Sequence, residues 1–228
     1  MSGRALIVNA DDFGLSAGTN TGIVRAYERG IVTSASLMVR APASTDAASY
    51  ARSRPQLSVG LHMDLGEWVY THGTWVARYE HGPAEEEIPR QLERFRTLVG
   101  RDPTHLDSHQ HVHRTEPVAT LMTRLSDELG VCLRGRGNVE YCGDYYGQTG
   151  TGEPLPDAIS TAALVRLVQR TPPGTTELAC HPGLDLDLDS PYRMERAREV
   201  EALCDPVVRA ALQREGVRLL SFATLRSE

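Results

Sequence analysis

Between Pro103 and His113 the chain reads Pro-Thr-His-Leu-Asp-Ser-His-Gln-His-Val-His, which sets His105, Asp107, His109, His111 and His113 at alternate positions. Alternate residues of an extended strand project to one face, so the spacing predicts a single register carrying one carboxylate and four imidazoles. Turned toward a core, such a row carries a heavy desolvation cost unless a ligand uses it. The chemistry these side chains suit is metal coordination and proton transfer. A strand of ordinary length accommodates only part of the row, so His105 to His109 are expected on the strand, with His111 and His113 just beyond it.

Three other apolar runs end in the same residue types. Leu6-Ile-Val-Asn9 leads into Asp11-Asp12-Phe13-Gly14, Ser58-Val-Gly-Leu61 into His62, and Glu177-Leu-Ala-Cys180 into His181-Pro182-Gly183. In parallel α/β folds the ligand site lies outside the carboxyl ends of the strands, so these termini are expected to converge. Neighbouring carboxylates at a strand end point in different directions. One of Asp11 and Asp12 can therefore bind metal while the other accepts a proton. A carboxylate with two imidazoles leaves coordination positions open for water and substrate, the layout of a catalytic ion. A nearby carboxylate then serves as general base, and a separate imidazole protonates the leaving group. His181 suits that second role, because Pro182 biases it to extended backbone and Gly183 permits a sharp turn. Asp107 reads as a hydrogen-bond partner that keeps one imidazole's metal-facing nitrogen unprotonated, while His111 and His113 either order the site or touch substrate. Mixed nitrogen and oxygen ligands suit zinc, and magnesium can occupy such a site when supply favours it.

Blander readings compete residue by residue. Asp11-Asp12 could cap the helix that follows, and His62 alone could be a hydrogen-bonded core histidine. His72 and His81 read as solvated loop residues. Asp185, Asp187 and Asp189 resemble the start of a calcium loop, but Ser190 and Arg196 stand where glycine and glutamate are required, which leaves a surface turn. Trp68, Trp75, Tyr145 and Tyr146 suit either loop packing or a platform on which a sugar stacks.

The elements that must position these groups follow from periodicity. Strands are expected at Ala5–Asn9, Ser34–Val39, Leu57–Met63, Thr104–His109, Val131–Arg134, Thr176–His181 and Val217–Phe222. Helices fall between most of them: one capped by Ser16 and closed by Gly30, one with the stripe Ile88, Leu92, Phe95 and Val99, and one running from Val118 to Leu129. A fourth carries Ile159, Leu164, Leu167 and Val168, and a last one spans Pro206 to Gly216. Alternation of strand and helix specifies a mainly parallel sheet, closed as a (β/α) barrel or open and doubly wound. Residues 1–228 show no internal boundary and read as one domain. Gly66–Glu87 and Asn138–Pro156 read as long loops over the pocket.

A formal net charge of −6 argues against nucleic acid or anionic lipid as a partner, and no stretch approaches the ~20 apolar residues of a membrane span. The four cysteines form no Cys-x-x-Cys pair, which reads as reduced, mostly buried thiols and a cytoplasmic location. A small-molecule partner is expected. Apolar positions on the outer helices are compatible with a monomer or a two-fold homodimer.

Asn9-Ala-Asp-Asp-Phe-Gly14, Gly60-Leu-His62, Thr104-His-Leu-Asp-Ser-His-Gln-His-Val-His113 and Glu177-Leu-Ala-Cys-His-Pro-Gly183 together resemble the YdjC-like carbohydrate deacetylases, over nearly the whole chain and in the same order. The resemblance implies a distorted TIM-like (β/α) barrel of about seven parallel strands. It also implies metal-dependent removal of N-acetyl groups from amino sugars such as chito-oligosaccharides, with release of acetate and one divalent cation, Mg2+ or Zn2+, as cofactor. By that similarity the metal ligands fall on Asp12, His62 and His109, with Asp11 as base and His181 as acid. Two other functions fit the residues less well. An amidohydrolase-type enzyme would place its His-x-His after the first strand, not the fourth, and a non-catalytic sugar-binding protein has no use for a spare base and acid beside its ion.

Overall fold

The computed structural model describes residues 3–184, 190 and 192–225; the acids at 185, 187 and 189 lie outside the described residues. Among the described residues there are ten strands: β1 (Arg4–Phe13), β2 (Ser34–Leu37), β3 (Ser58–Met63), β4 (Gly66–Thr71), β5 (Thr74–Glu80), β6 (His105–Ser108), β7 (Cys132–Leu133), β8 (Val139–Cys142), β9 (Gly174–Cys180) and β10 (Val217–Leu220). Eight of them form one sheet in the order β7-β6-β3-β2-β1-β9-β8, with β10 added beside β1, and every pairing in it is parallel. Among the described residues no ladder joins β7 to β8. The sheet is thus a curled, distorted barrel with one seam left unpaired.

Around it lie α1 (Ala17–Arg29), α2 (Ser44–Ser53), α3 (Ala84–Val99), α4 (Val118–Leu129), α5 (Thr161–Arg170), α6 (Arg193–Cys204), α7 (Pro206–Glu215) and the single turn α8 (Phe222–Leu225). None of the described helices is long and apolar enough to cross a membrane. The Ser16 hydroxyl accepts from the Thr19 amide and starts α1, so the cap is Ser16 and not the aspartate pair. Gly100, Gly130 and Gly216 close α3, α4 and α7 in the left-handed conformation.

All seven expected strands are present. The eighth, β8, lies inside the segment read as a loop from Asn138 to Pro156, and the Gly66–Glu87 excursion holds the β4–β5 hairpin and the first turn of α3. Of the four cysteines, all free, Cys180 alone is buried.

The strands obey a period of two that sorts apolar from polar with little mixing. Leu6, Val8 and Ala10 of β1, Ala35 and Leu37 of β2, Val59 and Leu61 of β3, Leu106 of β6, and Leu178 and Cys180 of β9 all belong to the apolar core cluster, together with residues of the surrounding helices. Their alternates face the opposite side: Asn9, Asp11, Ser36, His62, His105, Asp107 and Glu177, all buried. The barrel interior is consequently polar, and its stability depends on each of these groups finding a partner.

Candidate active site

β1 delivers two carboxylates to the end of the barrel. Asp11 continues the strand's inward face, whereas Asp12 adopts a left-handed backbone, φ 66°, a conformation that Asp tolerates better than most residues and that clusters at functional sites. This twist sends the second carboxylate away from the first.

Asp12 Oδ1 lies 3.4 Å from His62 Nε2 and 3.4 Å from His109 Nδ1, both too long for a normal hydrogen bond to nitrogen. This oxygen is buried and has no hydrogen-bond partner. Asp12, His62 and His109 each offer one ligand atom, all within 4.8 Å of one another. An orphaned carboxylate oxygen facing two imidazole nitrogens is the donor set of a divalent cation, so the residues present fit a metal. His62 is oriented by Asp107, whose Oδ1 lies 2.8 Å from Nδ1, so that Nε2 is the nitrogen turned to Asp12. Burial alone would lower His62, but Asp107 and then Asp12 outweigh it and hold the ring well above the usual imidazole range. The same pull on a proton is a pull on a cation.

Asp11, His62 and Asp107 also lie close enough to share an ion, but a guanidinium already occupies that space. Arg134, which follows β7 and is buried, grips Asp11 with both arms at 2.6 and 2.7 Å. It also reaches Asp107 Oδ2 at 2.8 Å and Glu177 Oε1 at 2.7 Å. Asn9 donates to Asp11 at 2.8 Å, and the Ser36 hydroxyl donates to Asp107 at 2.6 Å. Three buried carboxylates thus share one fixed positive charge. Burial pushes Asp11 up, yet Arg134 more than reverses it and the carboxyl stays below its ordinary range. Glu177, where burial dominates, is raised to about 7.

Asp12 has its own arginine. Arg196 of α6 reaches Oδ2 at 2.6 Å and, with both imidazoles, overcomes burial to hold Asp12 well below the carboxylate range. Its Nη1 also donates to the His181 carbonyl at 3.4 Å.

His181 stands at the opposite side of the pair, with Nε2 3.9 Å from Asp11 Oδ2. Glu199 of α6 fixes its backbone by accepting from the His181 amide at 2.5 Å, and it accepts from the Tyr192 hydroxyl at 2.6 Å. Gly183, two residues on, packs so closely on Gly22 of α1 that a Cβ on Gly22 would lie 2.3 Å from it. Burial is the main cause that depresses His181 to about 4.

The histidine row does not behave as one register. β6 ends at Ser108, and His109–Arg114 form a 3₁₀ turn in which Gln110 and His111 have positive φ of 50° and 56°. His109 therefore stands just past the strand, not on it. His105 shares the inward face with Asp107 but lies deeper. Its ring nitrogens face Ser36 and Thr104, each at 3.0 Å, and it stacks on Phe222 at 4.0 Å. His111 lines the cavity and meets the Tyr141 hydroxyl at 3.0 Å. His113 is turned inward onto the Ser108 hydroxyl at 2.6 Å. His72 is exposed as expected, but His81 is not simply solvated, since its Nε2 lies 3.0 Å from the buried Asp64.

Arg134, Arg196, Glu199 and Tyr141 escape the sequence reading. A cation at the end of the Val131–Arg134 strand was a usable signal, because strand ends carry the site whatever the sign of the charge. The residues of α6 gave none.

These groups lie in a cavity of about 880 Å³, walled by the β4–β5 hairpin on one side and Tyr145, Tyr146 and Tyr192 on the other. A family model described as YdjC-like protein matches residues 5–214. A carbohydrate deacetylase of Geobacillus stearothermophilus is 34% identical over 247 residues, covering 96% of this chain and 97% of the relative. A chitooligosaccharide deacetylase of Klebsiella pneumoniae (strain 342) is 33% identical over 253 residues, covering 96% and 98%. A crystal structure from Enterococcus faecalis V583, provisionally described as a cellobiose-phosphate cleavage protein, is similar with a TM-score of 0.80 at 26% identity, covering 98% of this chain and 99% of that one. On the match to the family model and on relatives this similar over almost their whole length, the chain belongs to the YdjC-like family.

Proposed function

We propose that this protein is a metal-dependent carbohydrate deacetylase that hydrolyses the acetamide of an N-acetylated amino sugar. Water adds to the acetyl carbon, the carbon–nitrogen bond breaks, and acetate and the free amine leave. The observation that carries the reading is the partnerless Asp12 Oδ1 facing two imidazoles, with a second carboxylate and a third imidazole beside it. Relatives at 34% and 33% identity that carry deacetylase names support it.

In this reading Asp12, His62 and His109 hold one divalent cation, magnesium or zinc. Such an ion supplies Lewis acidity at the acetamide oxygen and lowers the pKa of a water. Asp11 is the base. Arg134 and Asn9 fix its orientation and Arg134 keeps it ionised, while Oδ2, which accepts from Arg134 alone, retains a lone pair for a proton. His181 is the acid. Its depressed pKa of about 4 leaves the ring neutral at rest, so it gains its proton during turnover, and Asp11 Oδ2 at 3.9 Å is the nearest source. Asp107 acts through His62, and His111 through the Tyr141 wall.

The test is acetate release from a panel of N-acetylated sugars by wild type, Asp11→Asn and His109→Ala, with metal content measured in parallel. Expected is loss of activity with metal retained in Asp11→Asn, and loss of both in His109→Ala. Full activity in Asp11→Asn would end the base assignment, and no acetate from any amino sugar would end the reading.

A further inference from the structure

The two imidazoles that face Asp12 Oδ1 are supported from different parts of the molecule. His62 is braced from the barrel floor, where the buried Asp107 of β6 meets its Nδ1 at 2.8 Å. His109 is turned the other way round. Its Nδ1 faces Asp12 at 3.4 Å, and the charged group facing Nε2 is Glu67 Oε1 of β4, at 4.0 Å. A ring whose Nδ1 is to hold a cation carries its proton on Nε2, and a carboxylate beside that nitrogen fixes both the tautomer and the orientation of the ring. Asp107 does this for His62, and Glu67 stands in the matching place for His109.

Glu67 belongs to a unit that the barrel does not hold by backbone pairing. β4 and β5 pair only with each other among the described residues, and two strands alone are marginal in water. Side chains anchor them instead. At the base, Asp64 accepts from the Gly66 amide at 3.2 Å and meets His81 Nε2 at 3.0 Å. Beside Glu67, the Gln110 side-chain amide accepts from the Trp68 N–H at 2.9 Å and donates to the Trp68 carbonyl at 2.7 Å, as a neighbouring strand would. Gln110 follows His109 and Trp68 follows Glu67, so this double bond between turn and strand sets the carboxylate beside the imidazole. The ladder carries a bulge at the same point. Glu67 stands opposite Tyr79 and Trp68 opposite Ala77, which leaves Arg78 as the extra residue. Bulges re-aim side chains next to active sites. Here Glu67 and Trp68 both line the cavity, although neighbours on a regular strand point to opposite faces. Arg78 Nη1 lies 3.7 Å from Glu67 Oε2, the oxygen that His109 does not face. Both separations exceed a normal hydrogen bond, so Glu67 stands just short of these two partners.

Resting on the metal-dependent deacetylase reading, we propose that Glu67 is a positioning residue for His109, and that through it occupancy of the Asp12–His62–His109 site is coupled to seating of the β4–β5 hairpin. With Nδ1 committed to a cation, the Nε2–H is a stronger donor to the carboxylate. Such coupling is reciprocal, so whatever seats the hairpin also tightens the hold on the ion. The chain carries its own reporter of this. Its two tryptophans, Trp68 and Trp75, both lie on the hairpin, so tryptophan emission reads that unit alone.

The experiment titrates metal-free wild type, Glu67→Ala, Glu67→Gln and Gln110→Ala with zinc and with magnesium, following calorimetric heat and tryptophan emission in parallel. Asp12→Asn serves as the variant without the site. Wild-type emission should shift with the calorimetric midpoint, and Asp12→Asn should show no shift. Glu67→Ala should bind about 10- to 100-fold more weakly with its metal-free emission unchanged. Glu67→Gln, whose amide oxygen still accepts from the Nε2–H, should recover part of the loss. Gln110→Ala should weaken binding too, with emission already altered before any ion is added. Wild-type affinity in Glu67→Ala, or emission that ignores a saturated site, overturns the coupling, while the deacetylase reading stands if acetate is still released. Weaker binding in Glu67→Ala that comes with altered metal-free emission and is not relieved in Glu67→Gln also overturns it, since Glu67 is then only a structural part of the hairpin. Coupled titrations with no acetate from any amino sugar leave the coupling standing and end the deacetylase reading, and a wild type that binds neither ion ends both.

Discussion

Asp11 and Asp12 are adjacent in sequence, equally buried, both held ionised and each claimed by an arginine, yet their oxygens are satisfied differently. Both oxygens of Asp11 are engaged, by the fork of Arg134 and by Asn9. Arg196 takes only Oδ2 of Asp12 and leaves Oδ1 with nothing but two distant ring nitrogens. A left-handed φ at Asp12 produces the divergence. Residue type does not decide what a carboxylate does; the number of its oxygens already satisfied does. In the proposed reading the fully oriented one, with a lone pair left on Oδ2, takes a proton, and the half-satisfied one takes a cation.

The severest test of this contrast is Arg134→Met, which strands Asp11, Asp107 and Glu177 around a buried apolar chain. Removing one partner of a buried charge cluster costs about 3–5 kcal/mol, so urea unfolding should show a loss of that order; a loss below about 1 kcal/mol would mean that the three acids do not depend on it. Next comes the pair itself. Asp11→Asn should retain metal after dialysis and lose about 10²- to 10⁴-fold in kcat, whereas Asp12→Asn should lose the metal. If the two variants behave alike, the contrast is empty. Metal removal gives a third measure. At an ion concentration of 100 Kd, chelation should lower the unfolding free energy by about 2.7 kcal/mol in wild type and by nothing measurable in Asp12→Asn. The smallest effect is expected from Arg196→Met, which frees Oδ2 and loosens Asp12 without removing it. Metal affinity measured by calorimetry should fall about 10- to 100-fold and recover in part with Arg196→Lys. An unchanged affinity would reduce Arg196 to a brace for the His181 carbonyl.

Much of this site was legible because strand ends announce themselves. Asp11, Asp12, His62 and His181 each follow an apolar run, and a period of two separated Leu106 from Asp107 without any structure. Of the row from His105 to His113, His111 and His113 lie beyond the strand as expected, and His109 alone is misplaced, for a definite reason. Alternation in sequence matches alternation in space only while the strand lasts, and this one stops at Ser108. The two arginines were hidden by a different cause. Arginine is ordinarily a surface residue, and these two are buried by acids 123 and 184 positions away. Helix α6 was invisible because its buried face includes Glu195, Arg196 and Glu199, so no apolar stripe marks it. β8 is short, half-exposed and set among glycine and tyrosine, which reads as a turn until its partner β9 is known.

The unpaired seam between β7 and β8 gives the site a mechanical meaning. Where backbone pairing stops, Arg134 from one edge holds Glu177 of β9 and lies 5.3 Å over the ring of Tyr141 on the other edge, which also meets Arg114 and His111. The guanidinium that steadies Asp11 is thus also the clasp that keeps the two rims from drifting apart. A change on the floor therefore loosens the whole sheet, whereas the outer residues of the β4–β5 hairpin, which pairs only with itself among the described residues, can be exchanged without opening it.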